Sequence, residues 1–274
     1  MHGTGCFILY GKKMEQTALV TGAASGLGRE FARLLAKDGY RLVLVDADSK
    51  GLDSAGRDLG KEFGDAPRLV AANLAEPGAA LKLWKEIAGE KIDILINNAG
   101  FGLYGFFTET EWEREQEMLR LHVMTVTHLT KLALGRMVEQ GSGKILNVSS
   151  MAAFQPGPLM SVYYASKAYI LSFSEALANE LKGTGVTVTV LAPGWFRTNF
   201  QKTTAVYSHV EESRSKLHTA TAEKVALKGY RAMMRGKGVV VPGLSNTLMS
   251  MAPRVLPRRT MTAIVRYIQV HLRK

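Results

Sequence analysis

The chain has one cysteine, Cys6, in 274 residues. No disulfide can therefore form within it, and a reducing compartment, the cytoplasm, is the expected setting. Long hydrophobic runs are also missing. Residues 6–10 form a short apolar run closed by Lys12 and Lys13, too short for a signal-peptide core or a membrane span. Residues 145–166 carry no charge, but prolines, serines and an asparagine interrupt them, so no transmembrane helix is expected there. There is no Pro/Ser-rich linker, internal repeat or low-complexity tract, which favours one large domain over two small ones. No nucleic-acid motif accompanies the pI of about 9.7, and no metal site is read.

Hydrophobic residues make up 46% of the chain, enough for a full core. The net charge of +11 is uneven: residues 254–274 hold six Lys/Arg and no Asp/Glu, leaving 29 basic against 24 acidic residues elsewhere, a balance of +5. Basicity concentrated in a tail argues against a nucleic-acid partner. Met14 stands just before the first strand-like run. Residues 1–13 therefore read as a disordered extension, residues 14–243 as the catalytic domain and residues 244–274 as a basic amphipathic extension.

Residues 17–21 are β-rich and stop at glycine; residues 27–37 carry apolar groups at helical spacing, at Leu27, Phe31, Leu34 and Leu35; residues 41–45 read as a buried strand ending at Asp46. Between the first strand and the helix lies Thr21-Gly22-Ala23-Ala24-Ser25-Gly26-Leu27-Gly28. Glycines there let the backbone approach a pyrophosphate, which free N–H groups and the positive helix end would hold. Asp46 follows Gly28 by 18 positions, close to where a β-α-β dinucleotide site places the carboxylate that binds the adenosine ribose. Such a carboxylate repels a 2′-phosphate, so NAD is expected over NADP. Further strands are expected at residues 68–72, 92–96, 144–148, 186–191 and 238–241, and helices at 78–89, 111–139, 162–182 and 222–235. This alternation predicts a doubly wound Rossmann-type α/β fold, about seven parallel strands with helices on both faces. Ligands would sit at the carboxyl ends of the strands.

Ser150, Tyr163 and Lys167 lie in one uncharged stretch. Tyr163 and Lys167 are four apart, so on a helix they share a face. An ammonium about 4 Å from a phenolate stabilises it by roughly 4 kcal/mol at an effective dielectric near 20. That would draw the phenol's pKa from 10 toward neutrality and suit Tyr163 to proton transfer.

Together these motifs resemble the short-chain dehydrogenase/reductase family, in its short single-domain branch. The resemblance covers about residues 15–243. It rests on Thr21-Gly22-x-x-x-Gly26-x-Gly28, Asn97-Asn98-Ala99-Gly100, Ser150, Tyr163-x-x-x-Lys167, and Pro193-Gly194 followed by Thr198. It implies that Tyr163 is the catalytic acid/base, that Lys167 lowers its pKa and binds the nicotinamide ribose, and that Ser150 holds the reacting oxygen. It also implies a cofactor lined by Gly22, Ser25, Gly26, Leu27, Gly28, Asp46, Asn73, Leu74, Asn98, Ala99, Gly100, Pro193, Gly194 and Thr198.

The sequence departs from the family pattern at two positions. His122 replaces the usual asparagine of a proton relay; its backbone carbonyl preserves the relay and its imidazole offers a second route for protons. Asn73 replaces a common aspartate at the end of the third strand, and its side-chain carbonyl can still accept from the adenine amino group. Residues 101–107 (FGLYGFF) and 195–200 (WFRTNF) favour an apolar carbonyl or secondary alcohol. The expectation is an NAD(P)(H)-dependent oxidoreductase with a small-molecule substrate, forming a homo-oligomer; the alternative is a weakly catalytic dinucleotide sensor or scaffold. In the tail, Pro257 opens a helix in which Met261, Ile264, Val265, Ile268 and Leu272 share one face, with Arg266, Arg273 and Lys274 off it. That stripe can pack on its own domain, on another subunit or peripherally in a membrane interface.

Overall fold

The computed structural model describes residues 16–194, 196–197 and 220–271. The N-terminal extension, Trp195, Thr198, Leu272 and the two basic residues after it lie outside the described residues.

The chain runs β1 (Thr17–Thr21), α1 (Gly26–Lys37), β2 (Arg41–Asp46), α2 (Ser49–Phe63), β3 (Arg68–Ala71), α3 (Ala79–Glu86), β4 (Ile92–Asn97), α4 (Trp112–Leu119), a π-helical turn (Arg120–Thr125) and α5 (Val126–Glu139). It continues with β5 (Gly143–Val148), a 3₁₀ turn (Met151–Phe154), α6 (Ser161–Glu180), β6 (Val186–Leu191), β7 (Phe196–Arg197), β8 (Ala220–Thr221), α7 (Ala222–Met234), β9 (Val239–Val240), α8 (Leu244–Val255) and α9 (Arg258–His271). Seven strands form one parallel sheet in the order β3-β2-β1-β4-β5-β6-β9. Strands β7 and β8 pair separately.

The central strands are apolar runs because helices cover both faces. On one face Phe31 and Leu35 of α1, Leu52 of α2 and Tyr230 and Met233 of α7 pack on Ala18, Val20 and Ile96. On the other, Leu83 of α3 and Leu129 and Met137 of α5 pack on Leu19, Val45 and Leu95. Successive residues of β1 thus serve opposite layers, as a pleated strand requires. The strand order reverses between β1 and β4, and connections leave in opposite directions there, so a crevice opens at the carboxyl edge of the sheet.

The expected strands and the doubly wound sheet are present, with β3 ending at Ala71 and β9 reduced to two residues. Helix α2 was not anticipated. Its buried stripe is thin, only Leu52, Ala55, Gly56 and Leu59, within a polar, glycine-containing stretch. It forms because Asp48 accepts from Gly51 N at 3.0 Å at its start and Gly64, at φ 85°, closes its end. The single helix expected over residues 111–139 is interrupted by the π turn, which admits an extra residue where the helix passes the cleft. Helix α8 forms where the sequence predicts none, with Pro253 inside it. The tail helix begins after Pro257 as expected, but only part of its stripe is covered: Met261, Val265 and Gln269 are buried, whereas Ile264 and Ile268 are exposed.

Candidate active site

A continuous cleft of about 1710 Å³ runs along the carboxyl edge of the sheet. One end is built by the loop between β1 and α1. Gly22 takes φ 68° there, and its N–H donates to Val45 O at 2.8 Å. A Cβ on Gly22 would meet the Asn98 amide at 2.7 Å, and one on Gly28 would meet Gly22 O at 1.9 Å. The loop accepts no side chain at either position. Asn98 itself holds the loop: its Nδ2 donates to Thr21 O and Gly22 O at 2.9 and 3.0 Å. The backbone N–H groups of Asn98 and Ala99 donate to Thr21 Oγ1. Ser25 makes no side-chain cap on α1, so the positive end of that helix stays open to the cleft.

Asp46 lines the same end of the cleft. Its Oδ2 accepts from Ala24 N at 2.9 Å and its Oδ1 from Asp48 N at 3.0 Å. Each oxygen keeps further acceptor capacity beside the cleft that the residue lines. Asn73 and Leu74 line the opposite wall, where Asn73 Oδ1 accepts from Ala75 N at 3.0 Å. A glycine loop, an open helix terminus and the Asp46 carboxylate along one cleft fit a dinucleotide.

The other end gathers the expected chemical groups. Ser150 ends the segment after β5, and its Oγ accepts from Ala152 N at 3.1 Å, starting the 3₁₀ turn. Its hydroxyl stands close enough to Tyr163 to favour the phenolate, opposing the effect of burial. Lys167 Nζ stands 5.7 Å from the Tyr163 ring centroid and donates to Val148 O at 3.1 Å. The Ser149 hydroxyl donates to Lys167 O at 2.8 Å, so two bonds tie this turn of α6 to the end of β5. Pro193 and Gly194 border the same end, where Met151 N donates to Pro193 O at 2.9 Å.

The electrostatics differ in direction from the simple pair expected of the sequence. Burial pushes the Tyr163 hydroxyl up to about 12, outweighing the opposite effect of Ser150; the neighbouring Tyr164 adds to the rise. Burial also lowers the Lys167 amine to about 7. Desolvation disfavours both charged forms at once. Tyr163 is protonated at neutrality, and Lys167 titrates near it.

His122 lies within the π turn and is fully buried. Phe101 N donates to its Nε2 at 3.3 Å, so Nδ1 carries the proton and donates to Ser166 Oγ at 2.9 Å. Ser166 Oγ in turn donates to Tyr163 O at 2.8 Å. Both ring nitrogens are thus engaged by protein groups. Burial, with Lys167 adding to it, holds the imidazole well below its usual pKa, and it stays neutral. A Cβ on Gly100 would lie 2.7 Å from Nε2 and 3.5 Å from Lys167 Nζ.

Sequence reasoning gives no role to Ser149 or Ser166 and does not pair Asn97 with Asn147. Asn97 Nδ2 donates to Asn147 Oδ1 at 2.8 Å, and Asn147 Nδ2 donates to Ser174 Oγ at 2.9 Å, which locks β4, β5 and α6 together beneath the site. Asparagines at or next to the carboxyl ends of two buried strands are the available signal. Of the aromatic run after Gly100, Phe101 lines the cleft, whereas Phe106 and Phe107 face outward. Thr198 and Trp195 lie outside the described residues.

His122→Asn should keep kcat within about tenfold of wild type, whereas His122→Ala, which strands a buried N–H and a hydroxyl, should cost about 2–3 kcal/mol of stability. Urea unfolding together with initial rates checks both, and a His122-dependent limb in the kcat profile between pH 5.5 and 8 would show instead that the imidazole titrates. A second expectation follows from Lys167. Its folded-state value, about 7, lies below that of the unfolded chain, so the unfolded chain binds more protons above pH 7 and the protein is stabilised as pH rises through that window. Each pH unit is worth about 1.4 kcal/mol. Thermal melts should show wild type gaining roughly 5 °C on Lys167→Met between pH 7 and 9; parallel melting curves would place the lysine in water.

The model of the family described as short chain dehydrogenase matches residues 16–206. The chain is 28% identical over 254 residues to the very-long-chain 3-oxoacyl-CoA reductase of Mus musculus, a match covering 90% of this chain and 78% of that protein. Among solved structures, a short-chain dehydrogenase from Sphingobium yanoikuyae in complex with NADPH superposes with a TM-score of 0.78 at 27% identity, covering 90% of this chain and 95% of that one. A short-chain dehydrogenase/reductase from Burkholderia phymatum in complex with NAD superposes at 0.77 and 25% identity, covering 86% and 92%. The glycine cradle, the switch-point cleft and the family match lead to one conclusion: this chain belongs to the short-chain dehydrogenase family and is an NAD(P)-binding oxidoreductase.

Proposed function

We propose that the protein interconverts an apolar ketone and the corresponding secondary alcohol, with NAD(H) as the redox partner. The observation that carries the reading is the grouping of Ser150, Tyr163 and Lys167 on the wall of a cleft that continues to the glycine loop. A bound nicotinamide dinucleotide supplies or accepts the hydride. Ser150 and Tyr163 hold the substrate oxygen between two hydroxyls, and Tyr163 exchanges the proton on that oxygen. Because burial keeps Tyr163 protonated, the resting site is set to donate, which suits carbonyl reduction. Lys167 spends one N–H on Val148 O and keeps its other donors for a ribose. His122 acts as a positioning residue, fixing the Gly100–Phe101 backbone to the turn of α6 that carries Tyr163.

The apolar substrate is supported by Phe101, Met160, Met249, Val265 and Ile268 along the cleft. It is also supported by the mouse relative, whose name gives a ketone on a very long acyl chain. The choice of NAD is supported by the wall from Gly22 to Asp48, whose lining residues include Asp46 and Asp48 and no cation. A 2′-phosphate there would meet carboxylates unpaired.

Tyr163→Phe should lower kcat at least about a thousandfold, since general acid catalysis and oxygen placement are lost together, while NADH affinity by fluorescence changes little. A variant keeping a tenth of the activity would remove Tyr163 from the acid role. Asp46→Ala with Ala47→Arg should move the preference toward NADPH by about 1–3 kcal/mol. Wild-type protein that already binds NADPH tenfold more tightly than NADH would overturn the NAD assignment.

A further inference from the structure

We propose that the outward faces of α8 and α9 form a docking surface for an anionic lipid bilayer, with the mouth of the substrate cleft at its edge. Four apolar side chains of α8, Leu244, Leu248, Met251 and Val255, recur at helical spacing and fall within one narrow arc. They are 79%, 62%, 51% and 84% exposed. Single exposed apolar residues are ordinary, but a continuous stripe on one helix marks an interaction face. Helix α9 extends it with Ile264, Tyr267 and Ile268, all exposed. Tyrosine is a residue favoured where an apolar layer meets water.

The charge around this face selects the occupant. Arg254, Arg258, Arg259 and Arg266 are exposed on the same two helices, and among the described residues no ion pair joins any of them to a carboxylate. From Lys224 to the end, the sequence holds eleven Lys/Arg and no Asp/Glu. A second copy of this chain meeting the face through a twofold axis would set arginines against arginines, with no acid on either helix to separate them. A bilayer bearing anionic headgroups satisfies both features, since acyl chains take the apolar stripe and headgroups take the guanidinium groups. No helix among the described residues is long and apolar enough to cross a membrane, so the contact is peripheral.

The face is anchored to the site. Asn246 of α8 packs against Gly194 so closely that a Cβ there would lie 2.5 Å from its amide nitrogen. On α9, Gln269 O accepts from Tyr104 Oη at 2.7 Å and Gln269 Nε2 donates to Tyr164 Oη at 3.0 Å, beside Tyr163. Met249, Val265 and Ile268 line the cleft from the same two helices. A face seated on lipid therefore opens the cleft toward the phase in which an apolar molecule is dissolved.

Co-sedimentation of the full chain with vesicles tests the inference without reference to turnover. Wild-type protein should sediment with phosphatidylcholine vesicles containing phosphatidylserine, less with phosphatidylcholine alone, and be released by high salt. Leu248→Glu with Val255→Glu, both exposed, should weaken binding at least about tenfold, with circular dichroism and NADH fluorescence unchanged. Arg258→Glu with Arg259→Glu should abolish the preference for phosphatidylserine. The proposal fails if wild type sediments with neither vesicle at low salt, if it binds both equally, or if either variant binds as wild type does. It also fails if the Leu248/Val255 variant is found by sedimentation velocity to split a wild-type dimer that has no vesicle affinity, which would make the face a subunit interface.

Discussion

The Asn98 amide donates to the carbonyls of Thr21 and Gly22 at the one place where the sheet reverses its strand order. Strand β4 is thereby fastened to the end of β1, and the glycine loop is held in a shape that excludes any Cβ at Gly22 or Gly28. Without that clamp two carbonyls in a partly buried turn lose their donor, at about 1–3 kcal/mol for each unsatisfied group. The loop would also be free to relax into the crevice. The glycine loop, and with it the start of α1, is tied to β4 through this contact.

A second constraint is dryness. The chemical end holds an amine and an imidazole that are buried and a phenol half-buried on the cleft wall, and loss of water drives each toward its neutral form. A phenol and an imidazole held neutral, beside an amine poised near neutrality, are cheaper to bury than three full charges. The cluster also responds strongly to any charge brought close, because low polarity magnifies a new field. The bonds from Ser149 and Lys167 to the end of β5 and α6 keep these groups in place while their protonation changes.

Much of this was legible in the sequence, for physical reasons that differ from residue to residue. The strands were visible because burial on both faces demands unbroken apolar runs, and Tyr163 with Lys167 because four residues make one helical turn. The dinucleotide cradle was visible in three glycines and in Asp46, 18 positions on. Helix α2 was hidden by its glycines and thin stripe, since its caps rather than its core define it. The π turn at His122 was hidden because α and π turns share local preferences, and only packing against the cleft selects between them. The direction of the Tyr163 shift was hidden for a similar reason: helical spacing reports that two groups meet, but not how little water surrounds them.

The contact between His122 and Gly100 has a consequence for how this chain tolerates change. A ring larger than the asparagine usual in the family fills the space where a Cβ on residue 100 would stand, 2.7 Å from Nε2. Positions 100 and 122 therefore draw on one shared volume, and their substitutions are not independent. Enlarging Gly100 is tolerable only in a chain that has first given up the imidazole, whereas a smaller residue at 122 opens both positions together. The histidine thus acts as an epistatic lock: it makes one order of mutational steps passable and closes the reverse order.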